Sequence, residues 1–168
     1  MTGDEKPVAR LTRFRVVNAN KDFSKAGEKP VDRLEAYGIY QLACQLFNEF
    51  WDDSEILGQD YRGRELAKQQ IRSLDSVCAN IEECYGRGFG KVLPQHLRIS
   101  RGEARESKGR FGRCARLLPL ATIQARIAAL DRIIGGLSKT IQTIEARNSA
   151  RDTKAVSRHP SPVTRHFQ

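Results

Sequence analysis

LATIQARIAALDRIIGGLSKTIQTI, residues 120–144, carries apolar side chains at Leu120, Ile123, Ile127, Leu130, Ile134, Leu137, Ile141 and Ile144. The steps alternate three and four throughout, so one face of a helix is a continuous aliphatic seam. The same stepping recurs in three earlier segments. Ala36, Ile39, Ala43, Leu46 and Phe50 mark a helix from about Val31 to about Ile56, widened by Tyr40, Phe47 and Trp51 and ended by Gly58. Ala67, Ile71, Leu74, Cys78, Ile81 and Tyr85 mark a second from about Tyr61 to about Tyr85, closed by Gly86, Gly88 and Gly90. The third begins near Pro94, a residue suited to a first helical turn. Its seam is Leu93, Leu97, Ser100, Ala104, Ser107, Phe111, Cys114 and Leu118, half of it small, so that neighbouring helices can approach closely. Pro119 then breaks the chain. Four such helices joined by short connections predict an all-α fold, an antiparallel up-down-up-down four-helix bundle.

The bundle accounts for residues 31–148 of a 168-residue chain, which is long enough for one substantial core. Residues 1–30 lack a sustained helical period and are expected to form a mobile arm, and residues 149–168 a disordered basic tail. The opening Met1-Thr2-Gly3-Asp4-Glu5-Lys6 places acids where a secretory signal would be basic, and no apolar run reaches membrane-spanning length. A soluble, cytoplasmic protein with no membrane partner is the expectation. Cys44, Cys78, Cys84 and Cys114 form no Cys-x-x-Cys pair and sit within helical patterns, where reduced cysteine acts as a small hydrophobe. His96 is the only histidine of the bundle. Neither a metal site, a cofactor nor a catalytic triad is therefore expected, and the chain does not read as an enzyme. Gly86-Arg87-Gly88-Phe89-Gly90 lacks the Lys-Ser/Thr of a phosphate loop and reads as a helix stop.

Charge is the compositional feature with functional content. The formal net charge is +9, unevenly placed. Residues 31–60 hold one arginine against seven acids, and residues 92–116 hold seven cations against two acids. On a helical projection Arg98, Arg101, Arg105, Lys108, Arg113 and Arg116 fall within one arc of the third helix, on the side away from its seam. Five of the six are arginine, which forks onto phosphate better than lysine. Such segregation predicts a face for a polyanion or an acidic partner. No aromatic stacking platform or groove-reading motif is evident, so base specificity is not expected. On the fourth helix, Ala121, Ala125, Ala128, Ala129, Gly135 and Gly136 form a small-residue face. Adjacent glycines within a helix cost about 1 kcal/mol each relative to alanine, which suggests either close approach by a second subunit or local tolerance on the exposed side of a long helix.

Gln70-Ile71-Arg72, then Asn80-Ile81 with Glu83, Tyr85, Gly86 and Arg87, and finally Ile99, Arg101, Gly102 and Glu106 form a pattern that spans the second and third helices. This pattern resembles that of the four-helix-bundle family first noticed as reading frames inside intervening sequences of 23S ribosomal RNA. The chain departs from it at Glu82, Cys84 and Glu103. The resemblance implies a small homo-oligomer, typically a ring of five, without established enzymatic activity. It also implies kinship with the accessory protein that partners reverse transcriptases in diversity-generating retroelements and offers a basic surface to nucleic acid. Asn80, Glu83 and Glu106 lie beside the seams and are expected to hydrogen-bond between the second and third helices, holding their register as a structural polar core. The function expected is a non-enzymatic oligomeric adaptor that binds RNA or DNA phosphates. The alternative is a protein-interaction scaffold that docks an acidic partner such as a reverse transcriptase.

Overall fold

A computed structural model of the chain describes residues 34–86 and 93–158. The expected N-terminal arm, the glycines at 88 and 90, Arg87 and residues 159–168 lie outside them. Four helices follow one another: α1 (Gly38–Gly58), α2 (Tyr61–Gly86), α3 (Leu93–Arg113) and α4 (Leu120–Arg158). Contacts join α1 to α2, α2 to α3, α3 to α4 and α4 back to α1, which closes the four around one core. Partners across each seam run in opposite senses. Tyr40 and Cys44 meet Glu82 and Cys78, Gln70 and Val77 meet Ser107 and Ser100, Arg98 and Lys108 meet Glu145 and Asp131, and Tyr37 and Asp53 meet Thr140 and Arg126.

The helix limits follow local chemistry. Tyr37 is extended (φ −79°, ψ 103°), so α1 starts at Gly38 rather than near Val31, behind a turn in which Tyr37 N donates to Leu34 O at 2.9 Å. Only Gln59 and Asp60 separate α1 from α2. The Asp60 carboxylate caps α2 by accepting from the backbone N–H of Arg62 (2.8 Å) and Gly63 (3.3 Å). So tight a corner needs glycine at 63, where a Cβ would lie 2.1 Å from the Leu57 carbonyl oxygen. At the other corner α3 ends at Arg113, and Cys114 O accepts from both Leu117 N (2.8 Å) and Leu118 N (2.9 Å). Pro119 disfavours helical backbone in the residue before it, so the seam finishes in a turn. Cys114 and Leu118 nevertheless stay buried.

Two further expectations need correction. α4 continues to Arg158, so the first ten residues of the expected disordered tail are helical. That stretch contains neither glycine nor proline, and alanine, arginine and lysine propagate a helix well. The α4 seam also differs from strict heptad stepping. Leu120 is 67% exposed, whereas Ile133, outside the predicted seam, is fully buried beside Leu130, Leu137 and Ile141. A straight helix drifts from a 3.5-residue repeat, so the buried stripe rotates along its length.

The core is aliphatic with one aromatic pair at its centre. Phe50 of α1 and Phe111 of α3 are both buried and meet edge to face, with centroids 5.9 Å apart and planes at 83°. Burying such a ring contributes about 1.5–3 kcal/mol. No helix among the described residues is long and apolar enough to cross a membrane.

Candidate nucleic-acid interface

The six cations of the predicted arc do not share one fate. α4 lies against one flank of the arc and supplies two acids to it. Arg98 pairs with Glu145, and Lys108 Nζ lies 2.6 Å from Asp131. Arg101 Nη1 donates to Ser138 Oγ at 3.3 Å, and its buried Nε has no partner among the described residues. Half of the arc is thus engaged within the chain, by side chains of α4. Arg105, Arg113 and Arg116 are exposed and make no ion pair among the described residues. The helical neighbours of Arg105 three and four residues away are Arg101, Gly102, Lys108 and Gly109, so no acid of α3 lies one turn from it.

Arg110, outside the predicted arc, faces α2. It bonds Glu106 at 2.9 Å and also donates to Ser73 Oγ. With Arg62 and Arg113 it borders a cleft of about 440 Å³ between the start of α2 and the end of α3. Tyr61 stands in the same cleft and is 69% exposed, with the Arg62 guanidinium 5.3 Å from its ring centroid.

The polar residues expected to bridge α2 and α3 are only partly in that role. Asn80 donates to Ser76 O at 2.8 Å within α2, and its Oδ1 lies 3.4 Å from His96 Nδ1 on α3. Glu83 reaches the same imidazole at 3.3 Å. Glu106 does not cross; it is exposed and pairs with Arg110 one turn along its own helix. Other residues make the crossings, two of them buried and one part-buried. Gln70 donates to Ser107 Oγ at 2.5 Å, Ser100 to Val77 O at 2.9 Å, and Ser73 to Glu103 at 2.9 Å. Ser100 and Ser107 were legible as small seam residues, but their hydroxyl partners were not.

A second polar cluster went unread in the sequence. Arg126 of α4 donates to Asp53 of α1 at 2.8 Å and also pairs with Glu49. The signal was present, because Asp53 falls three residues after Phe50 and four before Leu57, on the seam itself. Burial alone would lower the Arg126 pKa, but the hydrogen bond and charge of Asp53 outweigh it and raise the value. Among the described residues no group of three or more His, Cys, Asp or Glu is placed to hold a metal ion.

This combination defines a class: a four-helix bundle whose chemistry lies in surface charge and interhelical polar contacts. The family model for the 23S rRNA-intervening sequence protein matches residues 35–134, from the turn before α1 to the middle of α4, and the chain belongs to that family. No curated protein and no solved structure matches it.

Proposed function

We propose that this chain is a non-enzymatic adaptor that works as a homo-oligomer and binds RNA or DNA through its phosphates. The observation that carries the reading is the set Arg105, Arg113 and Arg116: three exposed arginines without ion pairs among the described residues, on a chain of net charge +9. An arginine left in water gains nothing from its own fold, whereas phosphate offers it two parallel hydrogen bonds. Membership of a family named for intervening sequences in ribosomal RNA supports a nucleic-acid-related role. Arg98, Arg101 and Lys108 would add field to this face without being free to fork onto phosphate.

The test compares salt dependence. Affinity for labelled RNA and DNA should fall with salt at a logarithmic slope of about 0.7–0.9 per phosphate contacted. Arg105→Gln with Arg116→Gln should weaken binding and flatten that slope, about equally for every base sequence. Lys108→Gln should do much less. An unchanged slope in the arginine variant overturns the reading. Tight, salt-sensitive binding of an acidic protein partner in place of nucleic acid would install the scaffold reading instead.

A further inference from the structure

We infer that the cleft between the start of α2 and the end of α3 is a subsite for single-stranded nucleic acid, with a base against the Tyr61 ring and a neighbouring phosphate on Arg113. The inference rests on the proposed nucleic-acid role and adds the form of strand that is bound.

Tyr61 has no place in the fold. At 69% exposure it is the most open large apolar side chain among the described residues. The corner it begins is made by the Asp60 cap and the Gly63 backbone. Its only specific contact among the described residues is the Arg62 guanidinium, 5.3 Å from the ring centroid, and a cation over a ring at an exposed site gains little. The ring nonetheless borders a cleft of about 440 Å³, within the range of small-ligand pockets, with Leu66 as an apolar wall.

The charges of the cleft are ordered by function. Arg62 holds Asp60 with Nε (3.1 Å) and Nη2 (3.0 Å), and its Nη1 has no partner among the described residues. Arg110 is held by Glu106 and Ser73. The one acid lining the cleft, Glu65, is neutralised by Lys68 at 2.8 Å. Arg113 makes no ion pair among the described residues and lines the same cleft as the open Tyr61 ring. A bare phosphate or a carboxylate-rich peptide has no use for the ring, and a duplex keeps its base faces stacked inside. A single strand offers both a π-face and a phosphate, and base–aromatic stacking tolerates any sequence. Three-dimensional apposition therefore supplies the stacking surface that the sequence did not display.

The experiment uses the full chain with a labelled 12-nucleotide single strand, as RNA and as DNA, and a duplex of the same sequence. Tyr61→Ala should weaken single-strand binding about 5- to 150-fold while leaving duplex binding within about twofold. Tyr61→Phe should keep the parental affinity. Arg113→Gln should lower the single-strand salt slope by about 0.7. Helical content should be unchanged in each variant, because neither side chain is part of the core. Equal single-strand binding by Tyr61→Ala and the parent overturns the subsite, as does an equal loss for strand and duplex. A poly-glutamate peptide that binds the parent as tightly as the strand, and loses as much on Tyr61→Ala, overturns it too. Where the parent binds duplex through Arg105 and Arg116 yet ignores Tyr61→Ala, only the subsite falls; a parent that binds no nucleic acid sinks both readings.

Discussion

Arg126 and Asp53 join α4 to α1 through two hydrogen bonds, Nε to Oδ2 at 2.8 Å and Nη2 to Oδ1 at 3.3 Å, with Asp53 only 3% exposed. The guanidinium also reaches Glu49 and its backbone carbonyl, so one side chain satisfies a whole turn of α1. Removing a single partner strands a buried charge, which costs more than removing both. Arg126→Met should therefore lower stability by about 3–5 kcal/mol in urea unfolding, whereas Arg126→Met with Asp53→Leu should recover most of that loss. A single variant as stable as the parent would show the pair to be dispensable.

The helical glycines should separate by environment. At Gly63 an added Cβ meets the Leu57 carbonyl oxygen, a backbone atom that moves only with the whole corner. Gly63→Ala should cost about 1–3 kcal/mol through overpacking. At Gly135 nothing lies within 4 Å, so Gly135→Ala should raise stability by about 1 kcal/mol through helix propensity. Thermal melts of the two variants should move in opposite directions.

Cys44 and Cys78 place their sulfurs 4.0 Å apart between α1 and α2. The Cys78 thiol stabilises the Cys44 thiolate and, against the effect of partial burial, brings its pKa from 9.0 down to about 7. Cys78 is pushed the other way, first by that same hydrogen bond and then by burial. Burial also lifts Cys84, to about 11. A lowered pKa means thiolate persists to lower pH. Iodoacetamide should modify Cys44 first, with a rate that rises through about pH 7, while Cys84 stays unmodified below about pH 9. Mass mapping of the alkylated peptides checks the order, and equal labelling of all four thiols would contradict it.

The small-residue face of α4 divides in the folded chain, which narrows the oligomer test. Gly136 lies against α1, where a Cβ would sit 2.2 Å from Ile39 Cδ1, so its smallness serves the protomer. Ala121, Ala125, Ala128 and Gly135 remain exposed. These are the residues proposed to meet a second copy in a ring of five. Light scattering at micromolar concentration should show an assembly, and Ala128→Leu with Gly135→Leu should dissociate it without loss of helicity. A parent that stays monomeric at every concentration removes the oligomer.

Helix count, a second helix from about Tyr61 to about Tyr85, the stop at Gly58 and the break at Pro119 before α4 were legible in the chain, because helical periodicity and capping depend on residues within one or two turns. The family pattern from Gln70 to Glu106 was equally local, and the match over residues 35–134 includes it. The fate of each charge was not legible. Lys108 finds its acid 23 residues away, Arg98 finds its own 47 away, and Asp53 meets Arg126 across 73. Those pairings depend on which faces of neighbouring helices come to lie side by side, at what height and rotation. A projection of α3 alone could group six cations, but only the packing of α4 against it decided that Arg105, Arg113 and Arg116 stay available. The Tyr61 cleft has the same origin: its ring and its free arginine sit 52 positions apart, on different helices, and only the closure of the bundle makes them one surface.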